Sequence, residues 1–109
     1  MRGFDYLCTR PEVDPKKIGI TGNSGGGTQS SMAMLWDRRY AAAAPATFIM
    51  TREEYLYVGG GQDSEQIWPG FTSNGYDHDD ILFAMAPKPV LVLAVDYDFF
   101  PIEDRKSVV

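Results

Sequence analysis

Lys17-Ile18-Gly19-Ile20-Thr21-Gly22-Asn23-Ser24-Gly25-Gly26-Gly27-Thr28 passes from a β-prone run straight into glycine. Lys17 to Thr21 alternates and carries two β-branched isoleucines, which predicts a short strand. Gly22 to Gly27 is a tight turn. Thr28 to Tyr40 reads as a helix, with Met32, Leu35 and Trp36 at three- and four-residue spacing and Asp37-Arg38-Arg39 closing it. A strand, a glycine turn and a helix in direct succession form half of a βαβ unit.

Inside the turn, Gly22-Asn23-Ser24-Gly25-Gly26 fits G-x-S-x-G. A chain that turns abruptly from strand to helix projects one side chain into the cleft above a sheet. The serine is forced into a strained backbone conformation. The residues two before and two after it crowd each other, so both are expected to be small. The amide of Gly25, at the helix start, points where an oxyanion would form and is aided by the helix dipole. Two rival glycine loops fail. A phosphate-binding loop needs a lysine where Thr28-Gln29 stands, and a dinucleotide fingerprint needs a third glycine where Ser24 stands.

A nucleophilic serine also needs a base, and an acid to orient that base. Val90-Leu91-Val92-Leu93-Ala94-Val95 is a continuous apolar run, the pattern of a strand buried on both faces of a parallel sheet. Asp98 lies just beyond it, in a turn closed by Pro101, and is the favoured acid; Asp96, nearer the strand, is its competitor. The base is harder to place. His78 is the single histidine but precedes the acid, whereas for a serine on this kind of turn the chain order is serine, acid, histidine. His78 sits among Asp77, Asp79 and Asp80 at a helix start and reads as a solvated capping-region residue. A metal site from these four is disfavoured because consecutive side chains diverge. The base is expected beyond Val109.

Elsewhere, Phe4, Tyr6 and Leu7 fall on the last turns of a helix that Thr9-Arg10-Pro11 ends. Ala42 to Met50 is predicted as a second strand around Pro45. Thr51 to Tyr76 has no clear period and several glycine turns, with Tyr55, Tyr57, Trp68 and Tyr76 between them. These four aromatics are the candidate substrate-facing wall, although a packed surface loop with local anchors explains them equally well. Asp79 or Asp80 is expected to cap a short helix over Ile81 to Met85, which Pro87 and Pro89 end. Pro101 opens another helix, and both ends of the chain look cut.

The chain has 109 residues, one domain or a piece of one. Its single cysteine, Cys8, cannot form an internal disulfide or a multi-cysteine metal site. No apolar run exceeds six residues, so no membrane span is predicted, and no signal peptide is visible. Of the net charge of -5, residues 1–52 carry +3 and residues 53–109 carry -8. That acidic excess argues against nucleic acid as a partner.

Asp5-Tyr6-Leu7, Arg10-Pro11-Glu12-Val13-Asp14, Ile18 to Gly27, Ala86-Pro87-Lys88-Pro89-Val90-Leu91 and Asp98-Phe99-Phe100-Pro101 together resemble the acetyl xylan esterase and dienelactone hydrolase-like branch of the α/β-hydrolase superfamily. The resemblance implies an α/β fold: an incomplete three-layer α/β-hydrolase domain over residues 1–109, lacking the first strands and the last strand with its histidine. It implies Ser24 as nucleophile, Gly25 as an oxyanion-hole amide, Asp98 as triad acid, and Gly22, Asn23 and Gly26 as the rest of the elbow. It implies a serine carboxylic ester hydrolase acting on a small ester or acylated carbohydrate, with no cofactor and no metal. Full-length relatives are often secreted or periplasmic. The piece alone is expected to be inactive and to self-associate through exposed sheet edges. The alternative is a non-catalytic module of the same fold that binds a ligand.

Overall fold

Asp14 accepts a hydrogen bond from the Lys16 amide at 2.9 Å, and Pro15 supplies a preset φ, so residues Pro15–Lys17 close into a single 3₁₀ turn. The first strand therefore begins later than predicted. In the computed structural model, which describes residues 2–58 and 62–95, β1 is Gly19–Asn23 and runs right up to the serine turn. It follows helix α1 (Arg2–Cys8), whose Phe4 packs edge-to-face on Tyr40 at 5.0 Å.

Helix α2 spans Gly25–Trp36, starting three residues before the predicted helix and ending four before it. Its early start follows from the turn itself: Gly25 is already helical. Its inward face also differs from the prediction. Gly27, Thr28, Ser30, Ser31, Ala33 and Met34 are buried, while Trp36 is 75% exposed. Small residues line this face because α2 lies directly on the sheet. A Cβ on Gly27 would stand 2.3 Å from the Ala46 carbonyl oxygen. The Ser30 and Ser31 hydroxyls donate back to Gly26 and Gly27 carbonyls at 2.7 and 2.9 Å, so they are buried without an unsatisfied donor.

Strand β2 is Ala42–Ala46, shorter than the predicted 42–50. It pairs parallel to β1 with Gly19 opposite Ala42 and Asn23 opposite Ala46. On its other side, the Ala43 amide donates to the Pro89 carbonyl, the Leu91 and Leu93 amides donate to the Ala43 and Pro45 carbonyls, and the Thr47 amide donates to the Leu93 carbonyl. A parallel ladder here also needs a donor at Pro45, which has none. The predicted strand 90–95 is therefore seen as two isolated parallel bridges, Ala43 to Val90 and Ala46 to Leu93. Its burial is one-sided. Val90 and Val92 pack on the core, whereas Leu91 is 61% exposed and Leu93 and Val95 are also exposed.

The segment predicted as an aperiodic loop contains α3 (Arg52–Val58) and two 3₁₀ turns, Ser64–Gln66 and Thr72–Asn74. Helix α4 is His78–Met85, and its cap is Asp77, earlier than either predicted aspartate. The Asp77 carboxylate accepts from the His78 amide at 2.7 Å and from the Asp80 amide, and the Asp80 carboxylate accepts from the Asp77 amide at 2.8 Å, so Asp77 and Asp80 form a reciprocal capping box. The core gathers Phe4, Ile18, Met34, Phe48, Ile49, Ile81 and Met85 beneath α2 and α4. Among the described residues no helix is long and apolar enough to cross a membrane.

Candidate functional site

Ser24 joins β1 to α2 with φ 54° and ψ −116°, a conformation that costs a non-glycine residue about 1–3 kcal/mol and persists only where its surroundings overdetermine it. The determinants are visible. The Ser24 amide donates to both the Ala46 carbonyl at 3.0 Å and the Thr47 hydroxyl at 2.8 Å, and the Ser24 carbonyl accepts from the Thr28 amide at 3.0 Å. Held on both sides, Ser24 remains exposed at the end of the strand. Gly25 follows as the first residue of α2, so its amide is among those a helix cannot satisfy internally.

The crowding around the serine is one-sided. A Cβ on Gly22 would come within 2.3 Å of the Gly26 carbonyl oxygen, whereas one on Gly26 would meet nothing within 4 Å. What Gly22 must avoid is the backbone of Gly26. The second tight glycine is Gly27, whose close approach to Ala46 was not read from the motif, although the run Gly25-Gly26-Gly27 was the available signal. Asn23, the remaining elbow residue, receives the Thr47 hydroxyl proton at its Oδ1 at 2.8 Å. Thr47 itself has φ 51°, unusual for a β-branched residue, and nothing in its local sequence announces it.

The predicted acid Asp98 and its competitor Asp96 lie outside the described residues. His78 is not the solvated residue expected. It is 2% exposed, its Nδ1 accepts from the Met50 amide at 3.3 Å, and its ring lies 4.5 Å from that of Phe48. Its position at the first turn of α4 directs the imidazole inward, beneath the chain leaving β2. Among the described residues no group of three or more His, Cys, Asp or Glu side chains is placed to hold a metal ion.

The four aromatics of the predicted wall separate by burial. Tyr55 is 4% exposed and packs with Met50, and this burial pushes its phenol above the usual tyrosine range. Tyr57 is 89% exposed, and Tyr76 is exposed but stacks on Phe71 at 5.9 Å. Trp68 is half-buried, edge-on to Phe71 at 5.0 Å, and its enclosed indole N–H has no hydrogen-bond partner among the described residues. Buried Gln66, from the turn just before Trp68, donates to the Thr28 hydroxyl at 3.2 Å. The loop is thereby fastened to the first turns of the helix that follows Ser24.

Comparison with known proteins bears on the family and the fold. The family model described as the prolyl oligopeptidase family matches residues 1–79. A glucuronoyl esterase from Solibacter usitatus superposes with a TM-score of 0.75 at 18% identity, over 98% of this chain and 31% of that one. A carbohydrate esterase family 15 glucuronoyl esterase from Caldicellulosiruptor kristjansonii gives 0.76 at 18% identity, over 98% and 36%. The methylesterase BT1017 gives 0.62 at 26% identity, over 90% and 21%. The chain thus spans about a third, or less, of the length of these solved neighbours. No curated protein gives a significant match. The fold is that of an incomplete α/β-hydrolase, a short parallel sheet with flanking helices.

Proposed function

Because this chain belongs to the prolyl oligopeptidase family, we propose that it is the nucleophile-bearing part of a serine carboxylic ester hydrolase. The observation that carries this is Ser24: an exposed serine held at positive φ between a strand and a helix, the arrangement that presents a nucleophile above a sheet. Its Oγ attacks the acyl carbonyl carbon while a base takes the hydroxyl proton. The oxyanion so formed is received by the Gly25 amide and a second donor. The C–O bond to the alcohol then breaks, the base returns the proton to that alcohol, and water hydrolyses the acyl-enzyme by the same steps reversed. Asp98 orients the base, a histidine supplied by sequence beyond this chain. His78 does not serve, since its ring is buried and its Nδ1 engaged.

Carbohydrate esters are the favoured substrate class, supported by the likeness of the fold to glucuronoyl esterases. The loop fastened through Gln66 supplies the substrate side, with Tyr57, Trp68 and Tyr76 as its contacts and Tyr55 as its anchor. The family's name describes a peptidase, so the assay offers both an acylated sugar and a prolyl amide. The full-length protein is treated with a fluorophosphonate probe, then tested for hydrolysis of each. Labelling at Ser24, its loss in Ser24→Ala, and turnover of the ester are expected. Labelling that survives Ser24→Ala refutes the assignment, and turnover of the amide alone makes the protein a peptidase.

A further inference from the structure

We propose that Thr47 is the positioning residue of the nucleophile turn, holding Ser24 and Asn23 through one hydroxyl. The inference rests on the reading of Ser24 as nucleophile. Thr47 is the first residue after β2, one beyond the Asn23–Ala46 pair that ends the β1–β2 ladder. Its hydroxyl has one proton to give and lone pairs to offer. It accepts from the Ser24 amide at 2.8 Å and donates to Asn23 Oδ1 at 2.8 Å, so a single side chain bridges two consecutive residues of the elbow from the neighbouring strand.

The backbone is bent to make this possible. Thr47 sits at φ 51°, in the left-handed region that β-branched residues avoid, and its own amide is fixed on the Leu93 carbonyl at 3.0 Å. It is 9% exposed, so solvent competes little for the hydroxyl. Two adjacent strand ends therefore carry the two positive-φ non-glycine residues of the described chain, Ser24 and Thr47, joined by a hydrogen bond. Strain at one has its counterpart in the other. Such pairing is expected where a reactive group needs a fixed direction, since an error of about 1 Å in its placement can cost about 10²-fold in rate.

The experiment compares Thr47→Val, Thr47→Ser and Thr47→Gly in the full-length protein. Readouts are the rate of fluorophosphonate labelling at Ser24, kcat and KM for an ester substrate, and Tm. Thr47→Val keeps the shape and removes the hydroxyl; labelling and kcat should fall about 10²-fold with KM little changed. Thr47→Ser should restore both rates. Thr47→Gly relieves the positive φ, so its Tm should be held or raised while its rates stay low, a separation that a purely structural role would not produce. Wild-type labelling rates in the Val or Gly variant overturn the proposal, as does a Ser variant as slow as the Gly one. A wild-type protein that is not labelled at Ser24 refutes the nucleophile reading itself, and this proposal with it.

Discussion

Three adjacent glycines look interchangeable as letters but occupy different surroundings. Gly25 and Gly26 face open space, whereas an added methyl at Gly27 would collide with the Ala46 carbonyl oxygen at 2.3 Å. Gly22 has the same problem with Gly26. Gly26→Ala should therefore be tolerated and, as an early helix residue, should raise stability by about 0.5–1 kcal/mol. Gly22→Ala, which must displace backbone, should abolish both the turn and fluorophosphonate labelling. Thermal unfolding and labelling of the two variants check this, and equal effects would contradict the one-sided crowding. The motif pattern assigns the same need to both positions. A pattern records residue types, whereas the clash depends on which of two backbones approaches which Cα.

At the scale of elements, single carboxylates tie helices together. Asp77 caps α4 through the His78 amide and also accepts from the Arg52 amide at 3.0 and 3.1 Å, so one side chain serves the starts of α3 and α4. Asp77→Ala should cost about 2 kcal/mol, the upper end for a lost cap, with Asp77→Asn costing less. Equilibrium urea unfolding measures both. At the other end of α2, Arg39 reaches buried Asp37 at 2.6 Å and Asp5 at 2.7 Å and lies over the Phe4 ring, pinning α1. The hydrogen bond from Arg39 holds the Asp37 carboxyl well below its ordinary value of 3.8. A depressed folded pKa means that this stabilisation is whole above pH 3.8 and is lost as the pH falls toward the lower folded value. Tm should thus fall more steeply between about pH 4 and pH 2 in the wild type than in Asp37→Asn. Parallel curves would show that the pair is not coupled to folding. These ties escaped the sequence reading because Asp77, Asp79 and Asp80 offer similar caps, and only the actual helix start selects among them.

At the scale of the whole molecule, the sheet is covered on one face only among the described residues. α2 and the core lie against Ala43 and Pro45, while Thr21, Ala44 and Leu91 border an open cleft of about 380 Å³ on the other side. Leu91, Leu93 and Val95 leave an apolar strip in water. The isolated 109-residue chain should therefore self-associate, and Leu91→Glu with Leu93→Glu should reduce it. Light scattering after size exclusion reads the outcome, and a monodisperse wild-type monomer would refute the expectation. The two-sided burial predicted for Val90 to Val95 is not met among the described residues, where Val90 and Val92 pack on the core and Leu91, Leu93 and Val95 are exposed.

The order of strand, serine turn and helix was legible from residues 17–28, because steric rules for glycine and β-branched side chains act over a few neighbours. The aromatic loop, the buried imidazole of His78 and the hydroxyl clamp of Thr47 were not. Each depends on contacts between residues more than twenty positions apart, as in Thr47 with Ser24, His78 with Met50 and Gln66 with Thr28. Such contacts exist only once β1 and β2 have paired in register and α2 has settled onto them. Local chemistry placed the serine; packing at a distance set its direction.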